Sequence, residues 1–188
     1  IRALQYPAWI ESASGAKTPV APGTQLKTGE VIVSGEGARV LMALPDGSEM
    51  KLGQKTRFSI SQLEANAVAG GGFSTKATLT LLAGRFRYAT SALAKLTGQR
   101  NIDLKLASAT IGVRGTDYWA MLDESHEAVC LFEGKVEIAD GARIGAYCVI
   151  KNARIGAGCE IKTFCHIEDA VIGGRGQIGP YARLRPGA

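Results

Sequence analysis

The residue types of a nucleophilic catalytic triad occur together in one short stretch of the chain, at Asp123, Ser125 and His126. In such a triad a histidine base activates a serine hydroxyl, and a carboxylate orients the histidine. Neighbours within one loop cannot take up the nucleophile, base and orienting positions at the same time. We therefore interpret this cluster as chance composition, and we predict no catalytic residue in it.

The cysteines of the C-terminal part of the chain could bind a metal ion or pack in a core. Cys148 and Cys165 are 17 residues apart, and Cys159 lies between them. No fourth ligand with the spacing of a zinc site accompanies them, and His166 should project to the other side of its strand, towards solvent. We predict buried, unpaired thiols and no metal site, because cysteine behaves as a small hydrophobic residue in protein cores.

The two tryptophans, Trp9 and Trp119, could form a stacking platform for a sugar ring. Aromatic residues make up only 6% of the chain, so a core with few large side chains should bury most of those that it has. We favour burial in the core over a sugar-binding platform.

The charge pattern excludes several classes of function. The net charge is +5, but acidic and basic residues are interleaved, without the Lys/Arg run that tracks nucleic-acid phosphates. No apolar stretch approaches the roughly 18 to 20 residues needed to span a bilayer, and the start of the chain does not read as a signal peptide. We therefore expect no nucleic-acid partner and no membrane span, and the start at Ile1 suggests a processed or trimmed chain.

Apolar and polar residues alternate in many short segments of residues 1–138, which predicts β-strands. Any functional residue in this part of the chain should therefore be positioned by strands. The scarcity of aromatic residues and the 24 glycines also favour a β architecture. The apolar members of the alternating segments are Val40, Met42, Leu44, Met50, Leu52, Phe58, Ile60, Leu79, Leu81, Phe86, Tyr88, Ile102, Leu104, Leu106, Val136 and Ile138.

Glycines mark the places where these strands should turn. The segment Pro45 to Gly47 predicts a hairpin turn, and Gly115 predicts a second reversal, since glycine tolerates a positive φ. Residues 67–72 predict a flexible glycine-rich loop. Arg114 beside Asp117 could clamp a ligand, but we favour an ion pair that braces the turn.

The order of these segments resembles a known family. The stretches GTQLKTGEVIVSGEGARVLMALPDGSEMKLGQKTRFSI, LLAGRFRY, ATIGVRGTDYWAML and LFEGKVEI are similar to the FecR-type domain over about residues 15–138. The most specific pieces are the turn at Asp46 to Ser48, the VRGT at Val113 to Thr116 and the EGKVEI from Glu133. The resemblance implies a β-solenoid-like domain of an exported, often regulatory, cell-envelope protein that binds or transmits rather than catalyses.

The remaining residues form short repeats. They read RIGAYC VIKNA RIGAGC EIKTFC HIEDA VIGGRG QIGPYA RLRPGA, and an aliphatic residue holds the second place of every unit. Three units span 17 residues, which predicts three short strands per coil, with the aliphatic side chains stacked inside about 4.8 Å apart. These aliphatic residues are Ile144, Ile150, Ile155, Ile161, Ile167, Ile172, Ile178 and Leu184.

The repeats resemble hexapeptide-repeat acyltransferases, specifically the first coils of the acetyltransferase domain of bifunctional GlmU-type enzymes, from about Asp140 to Ala188. The resemblance implies a left-handed parallel β-helix and a role for Arg185 in a sugar-phosphate site. The family's catalytic histidine, its partner lysine and asparagine, and the coils that bind acetyl-CoA lie beyond the matched stretch. His126 and His166 are the only histidines, and neither occupies the motif, so a general base for acetyl transfer is missing.

The sequence thus predicts an all-β chain with a FecR-type β-solenoid-like domain over residues 1–138 and left-handed β-helix coils over residues 139–188. We expect a non-catalytic structural or binding module without cofactors. Its partner should be an unknown protein or glycan in the cell envelope. We interpret the chain as a chimera of a periplasmic or extracellular part and a cytoplasmic-type part, able to self-associate through an open helix end. The alternatives are a sugar-nucleotide N-acetyltransferase fragment and a periplasmic signalling or glycan-binding sensor.

Overall fold

The chain is all-β, as predicted. The computed structural model describes residues 1–68, 72–92, 100–106, 110–123, 127–138, 141–145, 147–151 and 153–187. Over these ranges every regular element longer than one residue is a strand, and they contain no helix of the length and hydropathy needed to cross a membrane.

Nineteen strands follow one another along the chain. They are β1 (Ala3–Gln5), β2 (Ala8–Glu11), β3 (Lys17–Pro19), β4 (Val31–Ser34), β5 (Arg39–Ala43), β6 (Glu49–Leu52), β7 (Thr56–Val68), β8 (Gly72–Ala89), β9 (Arg100–Lys105), β10 (Thr110–Leu122), β11 (Glu127–Ile138), β12 (Ala142–Ile144), β13 (Val149–Lys151), β14 (Arg154–Ile155), β15 (Glu160–Ile161), β16 (His166–Glu168), β17 (Val171–Ile172), β18 (Gln177–Ile178) and β19 (Arg183–Leu184).

Seventeen of the strands form two runs of hydrogen-bonded neighbours, and β14 and β17 pair only with each other among the described strands. The first run is β3-β2-β4-β7-β8-β9-β10-β11-β12-β15-β18. The second is β1-β5-β6-β8-β10-β11-β13-β16-β19. The long strands β8, β10 and β11 take part in both runs with different residues, so they join the two runs along one side of the core.

The core lies between the two runs, where four aromatic rings meet. Phe58 from the first run stacks on Phe86 from the second, with ring centroids 5.2 Å apart. Tyr118 contacts both Phe86 and Tyr88, at 5.5 Å in each case. All four side chains are at most 1% exposed, and burial of each large apolar side chain contributes roughly 1.5–3 kcal/mol. The cluster therefore fixes the two runs against each other.

The alternation in the sequence is confirmed by burial. Every apolar residue of the alternating segments from Val40 to Leu106 is buried, and the side chains of Val136 and Ile138 lie outside the described part. The turn after Leu44 is also confirmed, since Gly47 has a φ of 78° and its N–H donates to the Leu44 carbonyl at 2.9 Å.

Gly84 marks the place where β8 changes from one run to the other. Residues up to Ala83 pair with β7, whereas residues from Gly84 onwards pair with β10. Gly84 has a φ of +93°, and a Cβ there would lie 2.4 Å from the Cα of Thr56. The Thr56 hydroxyl occupies this space, accepting from the Arg85 N–H at 3.0 Å and donating to the Arg85 carbonyl at 3.1 Å. Only glycine permits this close approach.

Two turn predictions are wrong or incomplete. Gly115 does not reverse the chain but lies inside β10, where the pairing with β11 shifts register between Arg114 and Asp117. A bulge takes up the irregular residues without ending the strand. The loop predicted at residues 67–72 is shorter, because Val68 and Gly72 pair as the ends of β7 and β8, and residues 69–71 lie outside the described ranges.

The C-terminal strands repeat every 17 residues. Their pairings with one another are parallel and join residues with this separation: Ile144 with Ile161, Ile161 with Ile178, Ile150 with Ile167, Ile167 with Leu184, and Ile155 with Ile172. These eight aliphatic side chains are buried or half-buried, which confirms the predicted register and inward stacking.

Three aromatic residues at the same place in successive repeats form a stack on the surface. Tyr147, Phe164 and Tyr181 each have a positive φ, between 59° and 62°. Their ring centroids are 4.8 Å and 5.1 Å apart, with ring planes within 7° of parallel. Stacked aromatic pairs contribute about 0.5–1.5 kcal/mol each, which offsets the cost of the left-handed backbone conformation at these positions.

Gly156 and Gly173 occupy the same place in successive repeats and provide a test of how closely the repeats pack. A Cβ at Gly156 would lie 2.6 Å from the Gly174 backbone nitrogen, whereas a Cβ at Gly173 would meet nothing within 4 Å. We expect Gly156→Ala to destabilise the protein by about 1–3 kcal/mol through overpacking and Gly173→Ala to change stability by less than about 0.5 kcal/mol. Thermal unfolding followed by circular dichroism measures both, and equal effects of the two changes would contradict the observed packing.

Candidate functional site

Outward side chains of the second run form a row across neighbouring strands. Leu41 of β5 is paired with Lys51 of β6, Lys51 with Arg87 of β8, and Arg87 with Trp119 of β10. Their neighbours along each strand point into the core, because successive side chains of a strand lie on opposite faces of the sheet. The row therefore places charged and aromatic side chains side by side on one outer face.

A concave surface follows this row and is rich in basic side chains. We call it the basic groove and define it by Arg39, Lys51, Gln54, Arg85, Arg87 and Trp119, which lie among its lining residues. Its volume is about 620 Å³, and it reaches from β1 to β10. None of the described residues that line it is acidic.

One of the four cations is held by a carboxylate beside the groove. Arg87 donates from Nε to Asp117 Oδ1 at 2.9 Å and from Nη2 to Oδ2 at 2.6 Å. These hydrogen bonds raise the pKa of Arg87, and the bidentate pair fixes the guanidinium plane. Asp117 thus has an arginine partner other than the predicted Arg114, whose side chain lies outside the described part. Lys51 has a weaker contact, 3.9 Å from Glu49.

The other two cations are not neutralised. Within the described residues, Arg39 and Arg85 make no side-chain hydrogen bond or ion pair, and both are exposed. Gly53 lies next to Arg85, where a Cβ would come within 3.4 Å of the Arg85 Cβ, so glycine leaves room for the arginine. Gln54 accepts a hydrogen bond from the Gly37 N–H at 2.9 Å, which orients its amide at the rim.

The tryptophans are placed differently from the prediction. Neither is buried in the core: both are half-buried. Trp9 donates from Nε1 to Glu11 at 3.0 Å, and the Lys17 ammonium lies 5.3 Å from its ring centroid. Trp119 lines the basic groove. The predicted core burial is wrong because both residues lie on outward positions of their strands.

The remaining candidate residues lie in the repeats or outside the described part of the chain. Arg185 is exposed just after β19, and His166 is half-buried with Nε2 3.4 Å from a Glu168 carboxylate oxygen. Ser125 and His126 of the triad types lie outside the described residues.

The cysteines of the repeats are buried, as predicted. Cys148, Cys159 and Cys165 are each 1% exposed and carry free thiols. Each thiol donates to a backbone carbonyl 14 residues further along at 3.0 Å. Burial raises the pKa of Cys148 to about 11, which keeps the thiol protonated and unreactive. Over the described residues, no group of three or more His, Cys, Asp or Glu side chains is arranged to hold a metal ion.

Comparison with known proteins assigns the first part of the chain. The family described as "FecR protein" matches residues 30–137, which is more than half of the chain, and the chain therefore belongs to this family. A candidate anti-sigma factor from Parabacteroides distasonis has a distantly similar structure, at 15% identity and a TM-score of 0.45, covering 57% of this chain and 46% of that one.

The second part is similar to a different group of proteins. The bifunctional protein GlmU of Cupriavidus pinatubonensis is 53% identical over 79 residues, which are 42% of this chain and 17% of that protein. GlmU of Ralstonia nicotianae is 62% identical over 58 residues, 31% of this chain and 13% of the relative. The chain thus spans less than a fifth of the length of these relatives.

The two similarities overlap. Only 51 residues follow residue 137, fewer than the 79 that align with GlmU, so at least 28 aligned residues lie within the segment that matches the FecR family. Part of the chain is therefore similar to both groups at once.

The buried thiol of Cys148 predicts how the stability of the protein depends on pH. Because burial raises the pKa of this thiol from its usual value of 9.0 to about 11 in the folded protein, the stability that it contributes is present below pH 9 and is lost as the pH rises towards 11. Between pH 8 and 11 the free energy of unfolding should fall on the order of 2 kcal/mol more in the parent protein than in Cys148→Ala. Urea unfolding in reducing buffer measures this difference, and parallel pH curves would contradict the buried position of the thiol.

Proposed function

We propose that this chain is a non-catalytic binding module, in which a FecR-type cell-envelope domain is extended and capped by coils of a left-handed parallel β-helix. The observation that carries the proposal is the pairing of β11. On one side β11 pairs with β10, and on the other it pairs with β12 through Val136 to Ile138 and with β13 through Ala128 to Cys130. The repeats thereby cover an edge that the FecR-type part would otherwise expose.

The β-helix part of the proposal is supported by the register of the repeats. Three strands per 17 residues, all parallel to their counterparts one repeat away, are the arrangement expected for stacked coils. The hexapeptide-type sequence and the similarity to GlmU favour the left-handed form. The two halves would divide near residue 138, with β11 as their common strand.

A cell-envelope location and a chimeric origin complete the proposal. The family match favours an exported domain that binds a protein or glycan, whereas the repeats are similar to an enzyme of another kind. The basic groove supplies a binding surface in the family-matched part. A signalling role would require a second partner that binds the module only when the groove holds its ligand.

The second candidate function is N-acetyl transfer to a sugar phosphate, favoured by the identity to GlmU and by the position of Arg185 in the RLRPGA motif. Neither of the two histidines, His126 and His166, lies in this motif, so the motif does not itself supply a histidine as general base. We expect no release of coenzyme A from acetyl-CoA with glucosamine 1-phosphate at micromolar protein. Acetyl transfer by the parent protein would contradict the proposed function if Arg185→Ala abolished it and the neighbouring control Arg183→Ala did not. The chain would then be an N-acetyltransferase.

The capping role predicts a single cooperative unfolding transition for both halves. Leu79 lies in the core of the FecR-type part and Ile161 in the repeats, and both are at most 1% exposed. We expect Leu79→Ala and Ile161→Ala to lower the midpoint of the same calorimetric transition, each costing about 2–5 kcal/mol. Val171→Ala is the control, because that side chain is 68% exposed.

Two separate transitions, one shifted by each variant, would contradict the capping role. The two halves would then be independent domains joined in one chain.

A further inference from the structure

We propose that the basic groove binds an acidic saccharide, with Arg39 and Arg85 binding its carboxylate or sulfate groups and Trp119 stacking on a sugar ring. This inference rests on the proposed function, because it assigns a ligand class to the binding surface of that module. It combines three properties of the groove: its unneutralised positive charge, its tryptophan side chain and its direction across the strands.

The charge of the groove selects an anion. Of its four cations, Arg87 is neutralised by Asp117 at 2.6 Å, and Lys51 lies near Glu49. Arg39 and Arg85 remain as exposed guanidinium groups in a lining without acidic residues. A guanidinium binds a carboxylate or sulfate through two parallel hydrogen bonds, so these two residues define two oxyanion positions.

The aromatic side chain of the groove selects a ligand with flat apolar faces. Trp119 is half-buried, and its cross-strand neighbour Arg87 is held by the two hydrogen bonds to Asp117. Trp119 is thus the cross-strand neighbour of an arginine whose guanidinium is held in one orientation. A half-buried indole next to hydrogen-bonding groups suits a sugar ring, which has an apolar face and a polar rim.

The direction of the groove disfavours a peptide. It crosses β1, β5, β6, β8 and β10 on their outer face, a distance of about 19 Å at the usual strand spacing. The backbone groups of these strands are paired with one another in the sheet, so an extended peptide could not bind by strand addition at this face. A ligand here must use side chains only, and sugar hydroxyls and acid groups match the amides and guanidinium groups available.

The test uses the fluorescence of Trp119 in the full chain. Trp9→Phe leaves Trp119 as the only tryptophan, and its emission is then titrated with a tetragalacturonate, a sulfated tetrasaccharide, the neutral cellotetraose and poly-glutamate. We expect saturable binding of one or both acidic saccharides that weakens with added salt, and no saturation with cellotetraose. The two acidic probes separate carboxylate from sulfate recognition.

Substitutions in the same background locate the binding. Arg39→Gln and Arg85→Gln should each raise the Kd about tenfold, the loss expected when a charge-assisted hydrogen-bonded pair is removed. Arg183→Gln is the matched control, because Arg183 is also exposed but does not line the groove. Circular dichroism of each variant checks that the fold is unchanged.

Three results would overturn the inference: equal affinity for cellotetraose, a Kd that neither arginine substitution changes, or saturation by poly-glutamate alone. The last result would leave the proposed function intact, since a binding module would still have a ligand of another class. Failure of the proposed function itself would instead be seen as acetyl transfer or as two unfolding transitions, which do not depend on the saccharide.

Discussion

Strand β11 must satisfy the hydrogen-bonding groups on both of its edges, and the rest of the structure depends on how it does so. One edge pairs with β10, and the other is divided between β12 and β13. An uncovered edge of this length would be a template for association with other chains. The single strand therefore belongs to the closing hairpin of the FecR-type part and also forms the base on which the 17-residue repeats are stacked.

The same long strands account for the position of the groove. β8 and β10 leave the first run and enter the second at Gly84 and at the register shift before Asp117. Beyond these points their inward residues complete the aromatic cluster, and their outward residues, Arg85, Arg87 and Trp119, line the groove. The groove and the core are thus opposite faces of the same strand segments, and a change in the register of either strand would disturb both.

The sequence predicted periodic features well and long-range features poorly. Period-2 alternation identified the buried face of β5 to β9, and the spacing of isoleucines identified the partners of every repeat strand, because both patterns arise from local geometry. The role of Gly115 was missed, since a glycine in a bulge and a glycine in a turn look the same in one sequence. The groove was also missed, because Arg39, Lys51, Arg85 and Trp119 are far apart along the chain and meet only through strand pairing. The half-buried position of Trp119 follows from its strand parity relative to Tyr118 and Ala120, a signal that was present.

The uniform 17-residue register has a consequence for how such a chain can change in length. Because the repeat strands pair with one another at a separation of 17 residues, adding or removing one whole 17-residue repeat keeps every isoleucine, buried thiol and stacked ring in phase with its neighbours. An insertion of a single residue within a strand would instead turn the aliphatic positions that follow it out of the interior. The length of this part can thus evolve in discrete steps, without any adjustment in the surface that carries the arginines.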